Sequence, residues 1–247
     1  MKTSENTILI TGAASGIGLE IAKLFSQNDN VVIMVDKTRE TLDAEVSKLP
    51  NAVGITADLT KENDINRLIQ AVKLDHSTIN VVILNAAVAN NYLLYSDEFD
   101  LEYAASEINT NYLANVRLAH ALEPFLNDKK EAAFVLTTSG LAFVPNLSFP
   151  TYSVTKAALH SFAVASRLAL KRKGSNIKFF DLMPPLTETP LAKGLDAPKI
   201  SAAEVAALFL DSFKNDELEI HIGDTEKIYQ LFLKSAQEAL LAVNPEI

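Results

Sequence analysis

Thr7-Ile-Leu-Ile-Thr-Gly-Ala-Ala-Ser-Gly-Ile-Gly18 begins as a short apolar run and turns through glycine into a helical pattern. Residues 7–11 read as a strand. From Gly16 the spacing becomes helical, with Ile17, Ile21, Leu24 and Phe25 on one face to about residue 28. Glycine is scarce, 8 in 247 residues, yet three fall between Thr11 and Gly18 (Gly12, Gly16, Gly18). Glycines at a strand–helix junction let the backbone turn sharply and approach a pyrophosphate, to which the helix N-terminus offers free N–H groups. Gly12, Ser15, Gly16, Ile17 and Gly18 are therefore candidate nucleotide contacts.

The same alternation continues outward. Further strands are expected at 31–35, 52–56, 80–84, 132–137, 176–182 and 218–222, and helices at 39–48, 61–74, 101–126, 151–171, 201–214 and 224–242. A loop rich in Pro and Thr covers 184–198. Strands apolar throughout and separated by helices imply a parallel sheet covered on both faces. No linker or composition shift divides the chain and no repeat recurs. The fold class is thus α/β, one doubly wound Rossmann-type domain of about seven strands over residues 1–247. Such sheets bind ligands beyond the carboxyl ends of their strands, and the polar residues of interest stand there. Asp36 ends the second strand, where a carboxylate accepts hydrogen bonds from ribose hydroxyls and repels a 2′-phosphate. NAD is favoured on that ground, with NADP as the alternative because Lys37 and Arg39 follow directly. Asp58 and Leu59 follow the third strand, and Asn85 and Ala86 the fourth.

Composition narrows the classes. The formal charge of −9 argues against nucleic acid. With no cysteine, and His76, His120, His160 and His221 far apart, neither a disulfide nor a metal site is expected. The first residues lack a signal-peptide pattern and no apolar run reaches membrane-spanning length, so a cytoplasmic protein without membrane contact is expected.

Tyr152-Ser-Val-Thr-Lys156 carries the second group of candidates. On a helix, residues four apart share a face. A cation beside a phenol favours the phenolate and lowers its pKa from about 10 toward a useful range. Ser139 lies upstream, at the end of a strand.

Taken together, these motifs resemble the short-chain dehydrogenase/reductase family in its form of roughly 250 residues. T-G-x-x-x-G-x-G is met by Thr11 to Gly18, N-A-G by Asn85-Ala86-Ala87, Ser and Y-x-x-x-K by Ser139, Tyr152 and Lys156, and P-G-x-x-x-T by Pro184 to Thr189. The family's N-x-x-G fits Asn111-Tyr112-Leu113-Ala114, which selects Asn111 over Asn109.

The resemblance implies an NAD(P)-dependent oxidoreductase acting on a secondary alcohol or ketone. In it Tyr152 is the acid/base, and Lys156 lowers the Tyr152 pKa and holds the nicotinamide ribose. Ser139 positions the reacting oxygen, and Asn111 orders a relay water. Pro184 belongs to the cofactor-binding segment, where Thr187 and Thr189 meet the carboxamide. Two other readings stand beside it, a catalytically silent nucleotide-binding regulator and an NADPH-dependent ketoreductase.

Departures from the pattern are Ala87, Ala114 and Pro185 in place of glycine, and Glu219-Ile-His-Ile-Gly-Asp224 in place of the family's last-strand ending. The Pro-Pro pair and the helical tail (Ile228, Leu231, Phe232, Ala236 and Leu240 on one face) are similar to those of reductases linked to teichoic-acid D-alanylation. The altered ending favours a homodimer through the two long helices over the family's tetramer. Segments 88–97, 141–149 and 186–200 and the tail should shape the substrate pocket. Ala142, Phe143, Val144, Leu147 and Phe149 suggest an apolar wall and an uncharged small-molecule substrate.

Overall fold

Apolar, β-branched segments with no polar face form strands buried on both sides. In the computed structural model, which describes residues 1–97 and 99–246, these are β1 (Thr7–Thr11), β2 (Val31–Asp36), β3 (Ala52–Thr56), β4 (Val81–Leu84), β5 (Ala132–Thr137), β6 (Ile177–Met183) and β9 (Glu219–His221). They form a parallel sheet in the order β3-β2-β1-β4-β5-β6-β9. The direction of winding reverses between β1 and β4, which pair from Ile8 with Val81 to Ile10 with Ile83. A crevice opens beyond the carboxyl ends of the strands at such a reversal. Two short strands, β7 (Thr187–Glu188) and β8 (Ile200–Ser201), pair apart from the main sheet.

The helices are α1 (Gly16–Ser26), α2 (Arg39–Val46), α3 (Glu62–Asp75), α4 (Leu101–Glu107), α5 (Ala114–Asn127), α6 (Pro150–Lys173), α7 (Ala202–Lys214), α8 (Asp224–Lys234) and α9 (Ala236–Val243). Alternate strand residues feed two cores, as the period of two requires. Leu9, Ile33, Val82 and Phe134 pack under α3, α5 and α6. Ile8, Ile10, Val32 and Met34 pack under α1 and α7, where Phe25, Phe209 and Phe213 meet edge-on and tilted. No described helix is long and apolar enough to cross a membrane.

Two elements differ from the sequence expectation. The helix expected over 101–126 is interrupted by a π turn, Ile108–Leu113, which joins α4 to α5. The single helix expected over 224–242 is two, broken at Ser235 (φ −157°, ψ 105°). The Ser235 side chain accepts from the Glu238 N–H at 3.2 Å. Ser235 and Glu238 are thus spaced as the ends of a capping box, which starts a new helix inside a continuous apolar pattern.

Candidate active site

The glycine turn is shaped by close approach. Gly12 (φ +65°) and Gly16 (φ +55°) adopt the left-handed region. A Cβ on Gly12 would stand 2.9 Å from the Ala86 Cα, and one on Gly16 2.9 Å from the Thr189 methyl. Gly18 is tighter still, since a Cβ there would lie 2.3 Å from the Gly12 carbonyl oxygen. Asn85 fixes the turn from β4, its Nδ2 donating to the Thr11 and Gly12 carbonyls at 3.1 and 3.3 Å. The Thr11 hydroxyl accepts from the Asn85 and Ala86 amides at 3.0 and 3.1 Å. Ser15 begins α1 without a side-chain cap and the first turn holds no acidic residue. The first N–H groups of a helix have no partner within it, and here they lie at the turn unneutralised.

Asp36 ends β2 with its carboxylate held by backbone. Oδ2 accepts from Ala14 N at 3.2 Å and Oδ1 from Lys37 N at 2.8 Å. Asp58 follows β3 and accepts from the Thr60 hydroxyl at 2.7 Å. On the far side of the crevice, Thr187 donates to the Pro185 carbonyl at 2.8 Å and Thr189 to the Thr187 carbonyl at 3.4 Å.

Ser139 follows β5 and caps a short turn, accepting from Leu141 N at 3.1 Å. Tyr152 and Lys156 lie one turn apart on α6, with Lys156 Nζ 5.2 Å from the Tyr152 ring centroid. Lys156 is 2% exposed and donates to the Thr137 carbonyl at 2.8 Å. Burial pulls its pKa down to about 8, against the pull of the Asp181 carboxylate. The Tyr152 phenol is pushed above its ordinary value, first by burial and then by the negative Glu107, while a hydrogen bond with Ser139 lowers it. This corrects the sequence expectation that Lys156 sets a lowered value. In the protein alone, dense surroundings outweigh a neighbouring cation that itself holds its proton weakly.

One cavity of about 1320 Å³ joins these parts. Gly12, Ser15, Gly16 and Ile17 line it beside Asp36, Lys37, Asp58, Leu59, Asn85 and Ala86. Ser139, Tyr152, Lys156, Pro184, Thr187 and Thr189 complete it. Two expected residues are not on its wall. Gly18 is buried behind the turn, where its lack of a side chain serves packing. Asn111 is buried in the π turn, its Oδ1 accepting from Val88 N at 2.8 Å and its Nδ2 donating to Val88 O at 2.9 Å and to Thr155 Oγ1 at 3.1 Å. Its carbonyl accepts from Asn115 Nδ2 at 2.6 Å. Asn109 is exposed.

Two polar residues beside the site were missed. Asp181 is fully buried, held by the Thr138 hydroxyl at 2.5 Å and by His160 Nδ1 at 2.8 Å, a bond that raises the His160 pKa. A carboxylate inside the apolar run Phe179-Phe180-Asp181-Leu182-Met183 was a readable signal. Glu107, also fully buried, accepts from Asn90 N at 2.6 Å, and burial raises its pKa. On an apparent surface helix, nothing in its spacing marked it.

The family model for short chain dehydrogenases matches residues 6–199. This chain belongs to the short-chain dehydrogenase family. Among short-chain dehydrogenase relatives, an uncharacterized oxidoreductase DltE of Bacillus subtilis is 33% identical over 226 residues, covering 89% of each chain. A short-chain dehydrogenase from Burkholderia cenocepacia, solved in complex with NADP, superposes with a TM-score of 0.86 at 22% identity over 98% of both chains. One from Burkholderia phymatum, in complex with NAD, gives 0.82 at 18% identity over 89% of both. These two likenesses carry the fold.

Proposed function

We propose that this protein is an NAD-dependent oxidoreductase that transfers a hydride between the nicotinamide and a secondary alcohol or ketone, with Tyr152 as acid/base. The observation that carries it is the single cavity shared by the glycine turn, Asp36 and the Ser139–Tyr152–Lys156 group. At about 1320 Å³ it exceeds the ~300–1,000 Å³ of a typical single-ligand pocket, leaving room for cofactor and substrate together. The residues fit a dinucleotide. Gly12 and Gly16 keep a backbone cradle open, the uncapped start of α1 suits a pyrophosphate, and the backbone-held Asp36 carboxylate suits a ribose diol. The 2′-phosphate of NADP would meet that carboxylate with like charge.

Held by the glycine turn and Asp36, the cofactor would supply hydride-transfer chemistry to the carbonyl substrate. Tyr152 donates its proton to the carbonyl oxygen in reduction, or accepts the hydroxyl proton in oxidation. Ser139 holds that oxygen by a hydrogen bond. Lys156, as a cation, stabilises the phenolate that proton transfer leaves. The Asn111 carbonyl orders a water that returns a proton by way of Lys156.

We also place the protein in the cytoplasm as a homodimer. The long α6 carries the large exposed apolar side chains Val154, Val164 and Leu168, and the short α4 adds Leu101 and Tyr103. Following NADH and NADPH consumption across a panel of ketones tests the activity. Reduction of at least one ketone with NADH preferred is expected; cofactor binding without any turnover would point to a regulatory protein instead.

A further inference from the structure

Three consecutive residues at the end of β5 each hold a different part of the site. Thr137 O accepts from Lys156 Nζ at 2.8 Å. The Thr138 hydroxyl donates to Asp181 Oδ1 at 2.5 Å. Ser139 hydrogen-bonds Tyr152. The middle bond ties the strand end to β6, where Asp181 stands opposite Leu136 in the register. The other carboxylate oxygen reaches α6, for His160 Nδ1 meets Asp181 Oδ2 at 2.8 Å and Arg167 Nη2 lies 4.0 Å from it. Asp181 therefore joins the strand end that presents Ser139 to the helix that presents Tyr152 and Lys156.

The charges around it are arranged by helix geometry. Lys156, His160 and Arg167 stand at i, i+4 and i+11 on α6, each spacing close to a whole number of turns of about 3.6 residues, so they share one face. Farther out, on β9, Glu219 pairs with Arg167 at 3.3 Å and with His221 at 3.2 Å, and His221 meets Glu226 of α8 at 2.7 Å. Phe143 covers His160 edge-on, with ring centroids 5.2 Å apart. A carboxylate with no exposure is costly unless it is paired and hydrogen-bonded. One of the cations it serves belongs to the reacting group, since the Asp181 charge opposes the effect of burial on Lys156.

Building on the function proposed above, we infer that Asp181 is a positioning residue of the reacting group, the buried counter-charge of Lys156 and the tie that holds the Ser139 strand end against α6. Neither Asp181 nor His160 lines the cavity. The carboxylate acts from behind it, keeping Lys156 a cation beside the Tyr152 ring and Ser139 in register with Tyr152.

The test follows side-chain titrations by NMR on the full chain without cofactor, with the Lys156 signal assigned by its loss in Lys156→Met. Lys156 should titrate near pH 8 in the wild type. Asp181→Asn keeps an acceptor for Thr138 but removes the charge, and should move that midpoint down by about one pH unit or more. The alkaline fall in kcat/KM for NADH should move with it. Reciprocally, the Asp181 carboxyl carbon should show a step near pH 8 in the wild type that is gone in Lys156→Met. Thr138→Val cuts the tie and spares the charge, so kcat for a ketone should fall about tenfold while Lys156 keeps its midpoint. An unmoved Lys156 midpoint in Asp181→Asn overturns the inference, and so does wild-type kcat in Thr138→Val. Should Asp181→Asn not fold, the absence of a step at the Asp181 carbon overturns it instead. If the wild type reduces no ketone, the proposed function falls, and the titrations, which need neither cofactor nor substrate, still decide the counter-charge.

Discussion

Tyr152 holds its proton more tightly than a free phenol because burial and Glu107 both disfavour the phenolate, and that has consequences for pH. As a proton donor it stays protonated across the working range, so reduction should show no loss from Tyr152 itself. The limiting group on the alkaline side is Lys156, a cation only below about pH 8. Reduction should therefore fall as pH rises through about 8, measured as kcat/KM for NADH against pH, which reports the groups of the free protein. Oxidation needs the phenolate and should climb with pH. Glu107→Gln removes a negative charge near the phenol, lowers its pKa and should move that climb to lower pH; an unmoved profile would refute the coupling. Tyr152, Lys156 and Ser139 were legible because two are fixed by helical spacing and the third by its strand end. Glu107 was not, since it acts through space from a segment distant in sequence; Asp181 was marked by its place inside an apolar run, but its pairing with His160 was not.

Among the elements, the glycine turn and the π turn carry the most local constraint. Gly18→Ala would drive a methyl into the Gly12 carbonyl at 2.3 Å, a contact with backbone that only displacement relieves. It should weaken NADH binding more than tenfold, a loss of about 1.4 kcal/mol or more, read by fluorescence titration. Asn111→Ala strips the acceptor and donor from both backbone groups of Val88 and should cost roughly 2–4 kcal/mol, seen as a lower denaturation midpoint at constant m. Strand and helix identities were readable because period-two and period-3.6 patterns are strong over whole elements. The π turn was not, for Ile108–Leu113 carries no residue that marks it. The break at Ser235 was hidden by an apolar stripe that runs on through it, although the Ser235–Glu238 pair was there to be seen.

At the scale of the molecule, the parallel order with its reversal between β1 and β4 puts the carboxyl ends of every pocket-bearing strand at one crevice. The alternation of strands and helices implied that architecture. The bond that ties the tail to the loop before Tyr152 was beyond reach of pattern, since Asn244 and Leu147 stand 97 residues apart and meet only in the fold. The exposed apolar side chains of α4 and α6 should make the protein sediment as a dimer, and charge substitutions at Val154 and Leu168 should yield monomers. The central claim is that Tyr152 moves the proton within an intact cofactor cavity. Its most direct measurement compares steady-state NADH oxidation, on a ketone the wild type reduces, with NADH binding in Tyr152→Phe. Loss of a hundredfold or more in kcat, on the order of general acid catalysis, with NADH affinity retained, is the predicted result. Turnover in Tyr152→Phe equal to wild type would contradict it.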